Sequence, residues 1–337
     1  MEAAQNLILV SKSDSLLVYA MAYVSKYGAG DDFKILVVDD QGINIESTTN
    51  ENVNQELITT LSKLRMQFVT FDEAHKSNFD TVFLLPAFRL FASTNSYLMN
   101  FSFNSIGYFA DGLRNDLHFS PSAPIKNLSE KHIFLGFKGD YNPFCKDLCN
   151  QVEIQIVELE EIAKIWESLV LNQVRKSWPK FQKDDLFIAV RYWGDEPYVY
   201  RSGITTNKLI MQIISKIPDL KRVIVKPIPK SYKKSDLEIT SLERDCNLLG
   251  IDVVIWGDLF ENSMGDDISH NPEGLFMGGH LNGLGHFFGF DSTLNVIAKL
   301  YSPKTILHLP NFVSELKLFE NPISQEIVEQ HCCLIAD

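Results

Sequence analysis

Short continuous apolar runs alternate along this chain with segments whose apolar residues recur every three or four positions. "NLILV" (6–10), "FKILVVDD" (33–40), "QFVTF" (67–71) and "TVFLLP" (81–86) read as buried strands. "SLLVYAMAYVSKYG" (15–28), closed by Gly28, and "NVNQELITTLSKLR" (52–65) read as helices. "TNSYLMNFSF" (94–103) has helical spacing, and "SIGYFADG" (105–112) is a strand running into a turn. Unbroken apolar strands separated by amphipathic helices predict a parallel sheet covered on both faces. No Gly-x-Gly-x-x-Gly follows the first strand, so a dinucleotide fingerprint is absent.

The pattern then repeats in kind. "VEIQIVELEEIAKIWESLVLNQVRKSW" (152–178) contains a long helical pattern, followed by the polar "PKFQKDD" (179–185), which has linker character. "LFIAVRYWG", "KRVIVKPIP", "IDVVIWG" and "KTILHLP" read as strands; "TNKLIMQIISKI" and "LEITSLERDCNLLG" read as helices between them. A glycine-rich loop is expected from Asp258 to Gly289, then a helix from Thr293 to Tyr301 stopped by Pro303. The terminal "ISQEIVEQHCCLIAD" has helical spacing. The fold class is therefore α/β, with two Rossmann-like domains. The expected boundaries are an N-terminal domain at 1–150, a helical linker region at 151–183, a C-terminal domain at 184–312 and a C-terminal helix at 313–337, packing back across a cleft.

Length agrees with two domains, since 337 residues exceed what one core usually supports. A 45% hydrophobic, 22% charged composition is that of a globular protein. A formal charge of −12 argues against nucleic acid as a partner, because a phosphate backbone would be repelled. Five cysteines, an odd number, fit reduced thiols in the cytoplasm. Cys145 and Cys149 have helical spacing but no second Cys/His pair at zinc-site spacing, and no metal is expected. The paired Asp39 and Asp40 close a strand, a placement common without a metal. "MEAAQNLILV" lacks the basic start of a signal peptide.

The candidate chemistry gathers around "GHFFGFDSTLNVIAKL" (285–300). Asp291 or Ser292 can simply cap the helix that follows. The same helix start, with its free N–H groups, positive dipole end and the hydroxyls of Ser292 and Thr293, also suits a phosphate. Glycines in "MGGHLNGLGHFFGF" (277–290) would let backbone approach a ligand.

"FADG" (109–112), "KPIP" (226–229) and "DSTLNVIAKL" (291–300) fall in an order that resembles the bacterial sialyltransferases and polysialyltransferases. The resemblance implies a GT-B fold, with a nucleotide-sugar cleft between two Rossmann domains. It also implies inverting transfer of a sugar, sialic acid from CMP-sialic acid, to a glycan or lipid-linked glycan acceptor. In that family an acidic-acidic-glycine turn supplies the base, a His-Pro dipeptide assists the leaving nucleotide, and a Ser/Thr pair opens a late helix. Asp111, Gly112, Pro229, Ser292 and Thr293 match those motifs; Ala110 replaces the first acid and Ile228 the histidine. The lost histidine leaves open CMP-Kdo or a UDP- or GDP-hexose as donor. Both replacements also leave open a catalytically inactive glycan- or partner-binding protein.

Asp111 is the expected general base, and Arg114 and Asn115 are expected on the substrate beside Gly112. Lys226, His280 and His286 are candidates at the donor phosphate, and Glu261 at the ribose. No cofactor is expected. The basic "PIPKSYKKS" (227–235) can face an anionic donor or a membrane surface, giving a cytoplasmic protein with peripheral contact at the inner face, or it is a solvated loop.

Overall fold

In the computed structural model, the chain is described at residues 4–11, 14–38, 55–85, 98, 100–109, 131–136, 152–171, 180–189, 206–226, 232–259, 271–289, 293–310 and 332–335. It divides into two units, Met1–Gln173 and Val174–Asp337, each built on its own parallel sheet.

In the first unit the strands are β1 (Gln5–Ser11), β2 (Asp32–Val38), β3 (Met66–Phe68), β4 (Asn78–Leu85), β5 (Ser102–Phe109), β6 (Lys131–Gly136) and β7 (Val152–Ile156). They lie in the order β3-β2-β1-β4-β5-β6-β7. Leu7, Ile8, Leu9 and Val10 are all fully buried, as a central strand covered on both faces must be. Helix α1 (Asp14–Tyr27) packs Tyr23 against the rings of Phe33 and Phe83. A side chain at Gly28 or Gly107 would strike those same two phenylalanines, which explains both glycines by packing. Helices α2 (Gln55–Lys63) and α3 (Phe71–His75) follow. The second of these is opened by a capping box in which Glu73 N–H donates to the Thr70 hydroxyl and the Glu73 carboxylate accepts from Thr70 N–H. Helix α4 (Leu159–Leu171) buries Trp166, and its Glu161 meets Lys26 of α1 at 3.0 Å.

In the second unit β8 (Asp185–Ala189), β9 (Arg222–Lys226), β10 (Asp252–Ile255), β11 (His286–Gly289), β12 (Ile306–Pro310) and β13 (Cys332–Ile335) are ordered β10-β9-β8-β11-β12-β13. The helices are α5 (Thr206–Ile214), α6 (Tyr232–Asn247), α7 (Pro272–Met277) and α8 (Thr293–Tyr301). One face of the sheet stacks Phe187 on Trp256 with centroids 4.6 Å apart and on Phe287 at 5.4 Å. The other packs Leu186, Ile188, Val223 and Val225 on Ile210, Ile213 and Leu242. The second sheet repeats the order of the first six strands of the first, which adds β7 at its edge, and the expected α/β class with two Rossmann-like domains is the observed one.

Four sequence expectations are corrected. "VEIQI", absorbed into a helical pattern, is the edge strand β7, because its period-two alternation suits a sheet and β6 offers a partner. The supposed loop from Asp258 to Gly289 contains helix α7 and the central strand β11. The terminal segment expected as helix contributes β13 at Cys332–Ile335, since "CCLI" pairs with β12 as a short apolar strand. Residues 151–183, expected as a helical linker, contribute β7 and α4, and both belong to the first unit. Among the described residues no helix is long and apolar enough to cross a membrane.

Candidate functional site

From β8 the second unit winds outward through α5 to β9 and through α6 to β10, then returns to place β11 on the other side of β8. The direction of winding therefore reverses between β8 and β11. In open parallel sheets, ligands bind outside the carboxyl ends of the strands at such a reversal. Lys226 pairs with Ala189, and Ala189 with Gly289, so these three residues form one row along the carboxyl edge. Two inter-strand spacings, about 10 Å, separate Lys226 from Gly289 in that row.

Helix α8 starts at Thr293, four positions after Gly289, within the span the sequence pattern predicts. Its early N–H groups have no intrahelical acceptors, and its dipole puts partial positive charge beside the end of β11. Leu294, Ile297 and Ala298 bury its apolar side. Asn295, in the first turn, is 5% exposed and donates from Nδ2 to the Gly289 carbonyl at 2.8 Å. Its Oδ1 has no hydrogen-bond partner among the described residues. Asn295 was not singled out from the sequence. The available signal was a polar residue among the buried apolar positions of a short helix.

Of the two expected donor-site histidines, His286 stands at the start of β11 and His280 in the connection before it. His286 opens β11 and Gly289 closes it, so about 10 Å of strand separates the imidazole's backbone from the carboxyl edge. His286 Nδ1 lies 3.0 Å from His308 Nε2 on β12, and the two rings tilt 38° to one another. Burial lowers the pKa of His286. His308, 6% exposed, is pushed down to about 4, by burial first and then by the nearby charges of His286 and Lys216. His280 sits in the connection from α7 into the amino end of β11, its N–H donating to the Leu275 carbonyl, and burial lowers its pKa. His286 and His308 thus form a buried pair across β11 and β12.

The glycines of that connection serve the protein's own backbone. A side-chain carbon on Gly285 would overlap the Lys183 carbonyl, and one on Gly283 the Phe181 carbonyl. Gly285 N–H donates to the Gln182 carbonyl at 3.1 Å, and Ile306 N–H to the Gly285 carbonyl at 2.8 Å. Ser302 and Thr305 hydroxyls, 2.7 Å apart and buried, tie the turn after α8 to the carbonyls of Leu281 and Leu284. Close approach is real here, but it is to residues 181–183, not to a ligand.

Asp111, Gly112, Arg114, Asn115, Pro229, Glu261 and Ser292 lie outside the described residues, as do Asp39, Asp40, Cys145 and Cys149. Strand β5, which leads toward Asp111, ends at Phe109. The basic stretch expected as a loop enters α6 at Tyr232, so Lys233 and Lys234 occupy its first turn, after the carboxyl end of β9. Among the described residues no group of three or more His, Cys, Asp or Glu could hold a metal ion. Cys246 is buried and its thiol is pushed up to about 11 by burial, which makes it unreactive near neutrality.

Two parallel sheets with the Rossmann strand order, in consecutive units, give the chain a GT-B-like fold. The fold matches UDP-GlcNAc 2-epimerase of Methanocaldococcus jannaschii in complex with UDP-GlcNAc and UDP, at TM-score 0.50 and 11% identity over 98% of this chain and 89% of that one. The 2,6-sialyltransferase of Photobacterium sp. JT-ISH-224, in a ternary complex with CMP and lactose, aligns at TM-score 0.46 and 12% identity, covering 99% and 79%. Anabaena Alr3699/HepE in complex with UDP and glucose aligns at TM-score 0.44 and 9% identity, covering 91% and 81%. No family model and no curated protein matches the sequence.

Proposed function

We propose that this protein is a glycosyltransferase that uses a nucleotide-activated sugar, and that the start of α8 receives the donor's phosphate. The observation that carries the reading is the position of α8: its N-terminus follows the carboxyl end of β11 at the reversal point of the second sheet. Lys226, in the same edge row, adds positive charge to that side.

In the proposed reaction an acceptor hydroxyl attacks the anomeric carbon as the bond to the nucleotide phosphate breaks. The phosphate leaves with the bonding electron pair, and the hydroxyl proton passes to the Asp111 carboxylate. A single displacement inverts the anomeric centre. Charge growing on the departing phosphate meets the α8 N–H groups, Ser292, Thr293 and Lys226. Gly112, Arg114 and Asn115 are assigned to the acceptor side, Pro229 and Glu261 to the nucleotide. CMP-sialic acid is the proposed donor and a glycan or lipid-linked glycan the acceptor, from the motif resemblance. Ile228 in place of the family's histidine favours, as second reading, a CMP-Kdo or UDP- or GDP-hexose donor.

Isothermal titration with CMP, CMP-sialic acid, UDP and GDP separates these donors. At least one is expected to bind below millimolar concentration, and failure of all four overturns the proposal. Asp111→Asn is expected to abolish transfer while leaving donor binding within about twofold. If no donor supports turnover but glycan still binds, the protein is a binding module.

A further inference from the structure

We infer that Asn295 is a positioning residue for the start of α8, tying it to the end of β11 so that the helix N–H groups are held for the ligand. The inference rests on the proposed donor site at that helix. Two independent features of the side chain support it. Its Nδ2 donates to the carbonyl of Gly289, the last residue of β11, at 2.8 Å, and so ties the strand end to the first turn of α8. Its Oδ1 is buried yet has no donor among the described residues, and it lies where a side-chain carbon on Gly289 would come within 2.6 Å.

A buried acceptor left unmet is costly, and a leucine of similar size would avoid that cost if filling space were the only task. The asparagine is therefore explained by what its other end does. Gly289 fits the same scheme: only a residue without a side chain lets the carboxamide lie over the strand end. Asn295 would thus act on ligand by fixing the start of α8 and not by touching the reacting atoms.

The test compares wild type with Asn295→Leu in the full chain, titrating CMP and UDP against cytidine and uridine, with thermal midpoints recorded beside them. The expected result is tenfold or greater weakening for the nucleotides, less than twofold for the nucleosides, and a midpoint within a few degrees of wild type. Equal binding by both proteins overturns the inference and leaves the donor site standing. Parallel loss of nucleotide and nucleoside with a fallen midpoint also overturns it, since the role would then be structural. If wild type binds no nucleotide, the donor-site reading fails and this inference fails with it. Should Asn295→Leu not fold, Asn295→Ala, which removes the donor, decides by the same two ratios: tenfold or greater nucleotide loss with under twofold nucleoside loss supports the lock, and equal losses reject it.

Discussion

His308 stays neutral because burial disfavours its charged form and because His286, 3.0 Å away, and Lys216 would repel a second positive charge. Its folded pKa of about 4 lies below the ordinary value near 6.5. In the window between those values the unfolded chain binds a proton that the folded chain refuses, so stability rises with pH. The contribution is fully present above pH 6.5 and is lost as pH falls through 4, amounting to at most about 3 kcal/mol. Urea midpoints of the wild type are expected to fall between pH 6.5 and 4, and His308→Gln is expected to flatten that slope. A wild-type midpoint independent of pH in this range would remove the imidazole pair from the stability of the sheet. Glycines supply a second comparison. Gly285 faces the Lys183 backbone carbonyl, a wall that cannot rotate away, whereas Gly250 has positive φ of 72° and open space around it. Gly285→Ala is expected to cost about 3 kcal/mol through overpacking, and Gly250→Ala about 1 kcal/mol through backbone strain. Denaturant unfolding ranks them, and the reverse order would mean that the close approach at Gly285 relaxes freely.

At the scale of elements, the amino ends of β8 and β9 are joined by side chains. Asp185, 2% exposed, accepts from both Nε and Nη2 of Arg222, and also from Gln182 N–H at 2.7 Å. Asp185→Ala strands a half-buried guanidinium and an N–H group, and the expected loss is about 2 kcal/mol, read as a lower urea midpoint with the m-value unchanged. No loss would mean that water replaces the carboxylate at no cost. Elements of this kind were unevenly legible in the sequence. Strands such as β1 and β9 announce themselves as continuous apolar runs, and α8 is bounded by Thr293 and Pro303 as its pattern implies. Strand β11 hid because "HFFG" is short and stands among glycines, which read as loop but serve backbone packing against residues 181–183. Strand β6 gave little periodic signal, and β7 was masked by the helical spacing that follows it. The site was legible to the same degree. Lys226 and the start of α8 lie at strand and helix ends that a local pattern locates. The His286–His308 pair, 22 residues apart, is brought together by sheet register, and the Asn295–Gly289 bond, 6 apart, by the packing of α8 against the end of β11.

For the whole molecule, the repeated strand order has an energetic consequence. Each unit closes its own sheet around its own core: Leu7, Ile8, Phe33 and Phe83 in the first, Phe187, Phe276, Phe287 and Trp256 in the second. Cooperativity follows shared packing, so damage to one core should be felt through that sheet first. Phe187 is fully buried and touches both Trp256 and Phe287, at the middle of the strand beside the reversal point. Phe187→Ala removes a ring the surroundings cannot refill and is expected to cost about 3–5 kcal/mol. Native-state hydrogen exchange of the full chain tests where that loss goes. Amides of β8, β9 and β11 are expected to exchange faster by two or more orders of magnitude, a factor that about 3 kcal/mol supplies. Amides of β1, β2 and β4 are expected to keep their wild-type rates. Equal acceleration in both sheets would show one cooperative unit spanning the chain, and damage to either core should then lower the protection of both alike.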